Sequence, residues 1–144
     1  MIYLQSFFSP PKGIPLSVAR WQPKNYPTIE YFQPFDEAGK PIKGIPPEEY
    51  LIKYTKTLIV RAEAQILHRK EAILNGPSCS LCCWCNPQRQ KGYKTLFCHT
   101  ILIGYLLELL IPELKVEYLD GRENPVWSRE EFLDVYNNLK EGQI

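Results

Sequence analysis

All five cysteines of this chain lie within the twenty residues from 79 to 98, and this spacing limits how the chain can fold. An odd number of cysteines, clustered in the sequence, argues against a disulfide framework and favours metal ligation or thiol chemistry. The fold must therefore depend on a hydrophobic core. With 144 residues, of which 44% are hydrophobic, the chain can bury an ordinary core. We expect a single domain over residues 1–144.

Charge and hydropathy argue against several classes of protein. A formal net charge of +1 lacks the basic footprint of a dedicated nucleic-acid-binding protein. The most apolar stretch, residues 101–111, is about half as long as a bilayer span and contains Glu108, so we expect a buried helix and no membrane partner. Residues 1–10 do not resemble a secretory signal. We therefore expect a reducing, cytoplasmic location.

The pattern of apolar and turn-forming residues predicts strands that alternate with helices. Strands are predicted at residues 2–8, 16–20, 78–84 and 115–119, the first two as a pair. Helices are predicted at residues 46–74, 98–111 and 128–139, the last with a capping box of Ser128 and Glu131. Residues 21–47 are rich in proline and are predicted to be a long loop over the core. This order predicts a small α/β layered fold with a short, mainly parallel sheet flanked by helices.

On this scaffold, the cysteines lie at one edge of the sheet. Residues 79–85 reach the carboxyl end of a central strand, and Cys98 and His99 open the helix that follows. Open α/β sheets bind ligands at this edge, and a helix N-terminus favours both a thiolate and a bound anion. Positive charges in the loop between strand and helix lead us to expect a small anionic or nucleotide-like ligand there. The candidate ligand contacts in that loop are Arg89, Lys91 and Lys94.

One chemistry that fits these residues is metal binding, with zinc as the expected ion. The candidate ligands are Cys79, Cys82, Cys85, Cys98 and His99. Cys82 and Cys85 form the C-x-x-C pair of many zinc sites, and the start of the next helix could complete four ligands. In an extended strand, however, Cys82 and Cys85 point to opposite faces, so a tight turn at Trp84 would be required.

The other chemistry is catalysis by a thiolate. Cys98 or Cys83 would be the nucleophile, with His99 as a base or orienting group. Adjacent residues of a helix diverge by about 100°, so His99 could more easily serve Cys83 than Cys98. A third interpretation is that the cysteines only fill the central strand as small hydrophobic residues.

Short blocks of the sequence resemble a known family. Leu81-Cys82-Cys83-Trp84, a variable loop and Cys98-His99 are similar to the strand, loop and Cys-His-Arg segment of the domain of unknown function 488 family. Ser17-Val18-Ala19-Arg20 and Pro47-Glu48-Glu49-Tyr50 look like earlier blocks of that family, in the same order. The resemblance covers roughly residues 14–110. It implies a small α/β protein without a settled reaction.

The resemblance also carries expectations for single residues. Those that fall on motif positions are Arg20, Cys83, Cys98 and His99. Thr100 stands where the family's arginine usually does, which removes an anion-binding group. Cys85 stands where an acidic residue is common. The resemblance therefore implies that this chain has exchanged part of a polar pocket for a metal site.

Three functions follow from these observations. The first is a small intracellular α/β protein whose zinc site surrounds a small anionic or nucleotide-like ligand. The second is an enzyme that uses the Cys98 or Cys83 thiolate on a nucleotide or related substrate, with Arg20 and the helix N-terminus holding its phosphate. The third is a protein-interaction or nucleic-acid accessory module that uses the aromatic side chains of the long loop. Packing onto the core is the alternative role for these side chains, which are Trp21, Tyr26, Tyr31 and Phe32.

Overall fold

Four parallel strands form one sheet in the described part of the chain. The structure is a computed structural model, and it describes residues 1–21, 23–85 and 97–142. The strands are β1 (Ile2–Ser6), β2 (Ile14–Ser17), β3 (Cys79–Cys83) and β4 (Val116–Tyr118). Their order in the sheet is β2-β3-β1-β4, and every neighbouring pair is parallel. The predicted small α/β fold with a short parallel sheet is confirmed.

Helices cover much of the rest of the described chain. They are α1 (Pro47–Arg61), α2 (Glu63–His68), α3 (Lys70–Asn75), α4 (His99–Leu110) and α5 (Arg129–Lys140), with a 3₁₀ turn at Glu30–Phe32. The helix predicted over residues 46–74 is present as three successive segments. Main-chain hydrogen bonds continue on both sides of each break residue: Ala62 donates to Leu58 at 2.8 Å and accepts from Ile66 at 2.9 Å. Arg69 donates to Gln65 at 3.1 Å and accepts from Ile73 at 2.9 Å. No glycine or proline marks either break, so the sequence gives no signal for them.

The hydrophobic core lies between one face of the sheet and the helices. Leu16, Leu81 and Leu4 are neighbours across β2, β3 and β1, so one face carries a continuous apolar row. Helix α4 packs on this face, and α1 and α2 pack on α4. Every residue of α4 from 99 to 107 is buried, as predicted for the apolar stretch. Within the described residues, no helix combines the length and the apolar character needed to cross a bilayer.

Helix α4 approaches the sheet closely at Gly104. A Cβ atom at this position would lie 2.5 Å from Leu4 Cδ1 and 2.8 Å from Tyr118 Cε2. Both distances are shorter than real Cβ contacts, so a side chain here would force Leu4 and Tyr118, or the helix itself, to shift. The glycine thus permits the close approach of α4 to these two side chains.

The connection between β1 and β2 crosses the polar face of the sheet. The prediction that these two strands pair is wrong, because β3 lies between them. Gln5 Nε2 donates to the Pro10 oxygen at 3.1 Å, and Gly13 N–H donates to Ser80 Oγ at 2.8 Å. This crossing covers the second face of β3, so Ser80 and Cys82 are buried.

Candidate metal centre

The carboxyl edge of the sheet brings the ends of β3 and α4 together. Strand β3 ends at Cys83, and α4 begins at His99 with Cys98 as its N-cap residue. Between them the chain bends at Trp84, whose indole N–H donates to the Trp21 oxygen at 3.1 Å. The bend turns Cys85 back toward Cys98. This juxtaposition of strand end and helix start is the one that the sequence predicts.

Three sulfur atoms meet at this edge. The Sγ atoms of Cys83, Cys85 and Cys98 all lie within 4.8 Å of one another, and those of Cys83 and Cys98 are 3.1 Å apart. Cys83 and Cys98 are buried, and Cys85 is half-buried. Thiolate sulfur is the ligand that zinc and other soft metals prefer. This group, which we call the three-cysteine cluster, could hold a metal ion.

Two of the predicted ligands, Cys79 and Cys82, lie outside the three-cysteine cluster. Cys79 is at the amino end of β3, where its sulfur is 3.5 Å from the Pro77 oxygen. Cys82 points to the opposite face of the sheet, as alternation along the strand requires, and its sulfur is 3.6 Å from the Ser80 oxygen. Burial raises the pKa of Cys82 to about 11, so this thiol is neutral at neutral pH.

A buried arginine that the sequence did not single out faces the sulfurs. Arg122 follows β4 and is only 1% exposed. Its Nη2 donates to Cys83 Sγ at 2.7 Å, and its Nε donates to Thr100 Oγ1 at 2.7 Å. Further guanidinium hydrogen bonds reach the main-chain oxygens of Leu119, Asp120 and Cys85 at 3.1, 3.4 and 3.4 Å. Within the described part of the chain no salt bridge joins Arg122 to a carboxylate, so sulfur is the anionic partner available to it.

The charges at this site favour a thiolate on Cys98. Burial alone would raise the pKa of Cys98, but hydrogen bonds with Cys83 and Cys85 and the positive charge of Arg122 hold that pKa well below its ordinary value. Burial raises the pKa of Cys83 to about 12. Burial would lower the pKa of Arg122, yet the neighbouring sulfurs raise it. The directions of these shifts favour a thiolate on Cys98 over one on Cys83, with Arg122 as the adjacent positive charge.

His99 is fixed by the main chain beside Cys98. Its Nε2 lies 2.8 Å from the Val18 oxygen, which can only accept, so Nε2 carries the proton and a neutral ring has its lone pair at Nδ1. The pKa of Cys98, which burial raises and the other sulfurs and Arg122 lower, is lowered further by a hydrogen bond with His99, in which Nδ1 also carries a proton and donates it to the sulfur. His99 is thus linked to Cys98, the cysteine next to it in the chain, and its service to Cys83 stays a prediction. A main-chain partner of this kind orients a metal-binding or basic histidine.

A pocket of about 320 Å³ lies against the three-cysteine cluster. Its walls include the rings of Trp21 and Tyr50 and the cationic side chains of Arg20 and Lys43. The Nε atom of Arg20 is buried and has no hydrogen-bond partner among the described residues. The predicted ligand contacts Arg89, Lys91 and Lys94 lie outside the described residues. The pocket thus offers positive charge and ring surface beside the sulfurs.

Comparison with known proteins gives no relative. No protein-family model, curated protein or solved structure matches the chain. The chemistry of the three-cysteine cluster and its pocket is therefore the basis for assigning a function.

Most of the loop aromatics pack onto the protein. Phe32 is buried, Tyr31 lies edge-on to it with ring centroids 4.8 Å apart, and Tyr26 packs on Phe7 at 5.1 Å. Trp21 is different, because 71% of it is exposed at the rim of the pocket. The alternative of packing onto the core is therefore confirmed for Tyr31 and Phe32, whereas Tyr26 packs on Phe7, which is itself only partly buried.

One signal in the sequence could have identified Arg122. The residue follows the Asp120-Gly121 turn, directly after a predicted strand. Residues that follow parallel strands meet at the carboxyl edge of the sheet, and the sequence predicts the cysteines at that same edge. Asp120 shows this convergence, since its carboxylate accepts from Ser6 N–H at 2.8 Å across the same edge.

Proposed function

We propose that the three-cysteine cluster binds a zinc ion and that the adjacent pocket takes a small anionic, nucleotide-like ligand. The observation that carries this proposal is the convergence of three sulfurs within 4.8 Å beside a buried guanidinium. Three thiolates around Zn²⁺ have a net charge of minus one. Arg122 would balance that charge, so the loaded site would be neutral in its buried setting.

The fourth ligand position would be the functional one. Zinc sites with three protein ligands keep one position for water or substrate, whereas structural sites use four. Cys83, Cys85 and Cys98 all line the pocket, so an incoming ligand has access to an ion that they hold. His99 Nδ1 is the other donor that could close the site. The zinc ion would supply Lewis acidity or an ordering charge at the pocket.

The walls of the pocket favour an anion that carries a flat ring. The unpartnered Nε of Arg20 can donate to a phosphate or carboxylate oxygen. The Arg20 guanidinium lies 5.8 Å from the ring centroid of Trp21, and Tyr50 adds a second ring to the same pocket. Stacking and charge pairing together are the features that a nucleotide requires.

The geometry also supports our proposal that the chain belongs to the domain of unknown function 488 family. The four residues on motif positions, Arg20, Cys83, Cys98 and His99, all line this one pocket. Thr100 replaces the family's arginine, and its hydroxyl accepts a hydrogen bond from Arg122. A guanidinium from another element thus contacts the side chain at the position where the resemblance places an arginine.

Metal content is the decisive measurement for the zinc site. We expect about one zinc per chain in reduced, untagged protein. Cys83→Ser, Cys85→Ser and Cys98→Ser should each lose most of it, because three ligands cannot be reduced to two without a large loss of affinity. Elemental analysis, with reactive thiols counted before and after chelation, checks this.

The chain supplies its own matched controls for that experiment. Cys79→Ser and Cys82→Ser change cysteines outside the three-cysteine cluster and should retain the metal. Equal loss in these controls, or no metal in the reduced wild-type protein, would contradict the zinc site.

Ligand binding is tested with adenosine 5′-monophosphate on the zinc-loaded protein. We expect Arg20→Met to weaken its affinity about tenfold or more, since a charge-assisted hydrogen bond contributes about 1.5–3 kcal/mol. The matched control is Lys56→Met, a surface cation 3.5 Å from Glu37 and outside the pocket lining. Titration calorimetry gives both affinities. An equal effect of the two variants, or no binding at millimolar nucleotide, would contradict this ligand.

A thiolate enzyme is the second candidate, and the low pKa of Cys98 favours it. Cys98 would pass its proton to His99 Nδ1 and attack a nucleotide-like substrate held by Arg20 at its phosphate; the bond to the leaving group would break, and the leaving group would take that proton. The thiol count separates the two functions. A metal-free protein with one fast-alkylating cysteine at position 98 favours the enzyme, and thiols that are protected until chelation exclude it.

A further inference from the structure

Two sulfurs of the three-cysteine cluster are placed to form a bond. Cys83 Sγ and Cys98 Sγ are 3.1 Å apart and lie on different elements, the end of β3 and the N-cap of α4. A disulfide bond is about 2.05 Å long, so the two atoms need to approach by only about 1 Å. Both side chains also line the pocket, which admits a small oxidant to the sulfurs.

We propose that the metal-free three-cysteine cluster reduces hydrogen peroxide, with Cys98 as the attacking sulfur and Cys83 as the resolving sulfur. This activity goes beyond zinc binding and does not require it. Because it uses two of the three proposed zinc ligands, oxidation would also release a bound metal.

The reaction balances in two steps. The Cys98 thiolate attacks one peroxide oxygen, an S–O bond forms, the O–O bond breaks, and the departing hydroxide takes a proton and becomes water. The Cys83 thiol then attacks the Cys98 sulfenic acid. An S–S bond forms, the S–O bond breaks, and the departing hydroxide leaves as water with the thiol proton. Two thiols are oxidised, and one peroxide is reduced to two waters.

Thr100 and Arg122 are positioned to support the first step. Thr100 Oγ1 lies 3.1 Å from Cys98 Sγ, and it accepts from Arg122 Nε at 2.7 Å, so its own hydrogen is available to the sulfur. Arg122 Nη2 lies 3.6 Å from the same sulfur and donates to the neighbouring Cys83 Sγ at 2.7 Å, so it reaches both reacting sulfurs. A fixed cation at this point stabilises the reacting sulfur and the negative charge that develops on the departing oxygen. Both are positioning residues for Cys98.

The geometry also excludes two of the five cysteines from the reaction. Cys79 lies at the far end of β3 and Cys82 lies on the other face of the sheet, so neither can reach Cys98 without breaking the strand. These two thiols are therefore internal controls for the reaction.

The test treats the reduced, chelator-stripped full chain with one equivalent of hydrogen peroxide and maps disulfides by mass spectrometry. We expect the loss of two thiols per chain, a Cys83–Cys98 disulfide, and recovery with dithiothreitol. Cys79→Ser and Cys82→Ser should behave like wild type, whereas Cys83→Ser should stop at a Cys98 sulfenic acid that dimedone traps. Any other pairing, or thiol oxidation no faster than that of free cysteine, would overturn the proposal.

The role of Thr100 is tested by the oxidation rate. Thr100→Val should slow oxidation about tenfold, the effect of one lost hydrogen bond to a charged group, and Thr100→Ser should restore it. An unchanged rate in Thr100→Val would overturn the role of the hydroxyl. The metal has been removed in these oxidation experiments, so a failure to oxidise would not contradict the zinc site. A protein that binds no zinc could still form the Cys83–Cys98 disulfide.

Discussion

Replacing Arg122 with methionine is expected to destabilise the reduced, metal-free protein by about 3–5 kcal/mol. The guanidinium is buried and donates to the Cys83 sulfur, to Thr100 and to three main-chain oxygens. Methionine fills part of the volume but donates to none of these acceptors, and each buried unsatisfied group costs about 1–3 kcal/mol. The Cys98 thiolate also loses its counter-charge and should become less reactive.

Urea unfolding measures the change in stability, and the alkylation rate of Cys98 measures the electrostatic effect. Arg61→Met is the matched control, because this guanidinium donates to the Glu30 oxygen at the surface. We expect the control to cost less than about 1 kcal/mol. A similarly small loss of stability in both variants would show that Arg122 does not stabilise the carboxyl edge of the sheet around the three-cysteine cluster.

The second large effect is expected at Trp127, where substitution by alanine should cost about 3–5 kcal/mol of stability. The side chain is 2% exposed and stacks on Tyr50, with ring centroids 5.8 Å apart and planes 20° apart. Its indole N–H donates to the Pro47 oxygen at 2.9 Å, which ties the start of α5 to the start of α1. Because Tyr50 and Phe97 pack on Trp127 and line the pocket, the same variant should weaken ligand binding.

Trp21→Ala is the control for this prediction, since Trp21 is 71% exposed. Thermal unfolding should show almost no change in this variant. Trp127→Phe keeps an aromatic ring and removes the hydrogen bond, so it should lie between wild type and Trp127→Ala. Equal stability of Trp127→Ala and Trp21→Ala would show that the contacts of Trp127 with Tyr50 and Phe97 do not stabilise the protein.

Features with a local signal could be predicted from the sequence. The capping box is confirmed: Ser128 Oγ accepts from Glu131 N–H at 3.1 Å, and the Glu131 carboxylate accepts from Ser128 N–H at 3.0 Å. The buried helix α4 and the separation of Cys82 from Cys85 are confirmed for the same reason. Helical capping and strand alternation depend on residues only a few positions apart.

Features that depend on distant residues could not be predicted. The order of the strands places β3 between β1 and β2, and nothing in the first twenty residues indicates this. The turn after a predicted strand indicates that Arg122 lies at the carboxyl edge, but its contacts with Thr100 and Cys83 depend on the strand order, in which β4 and β3 both flank β1. Cys85, and not Cys79, is the third member of the three-cysteine cluster because the chain bends at Trp84. The spacing of the cysteines does not by itself predict this bend.

The insertion of β3 into the sheet also determines when the protein can fold. Strands β2 and β3 are neighbours, yet residues 18–78 separate them in the chain, and residues 7–115 separate β1 from β4. Such long-range pairing slows folding, because each contact must close a large loop. During synthesis at about 5–20 residues per second, β1 and β2 leave the ribosome several seconds before β3 exists. Sheet formation on a newly made chain must therefore wait for the segment that also brings the cysteines.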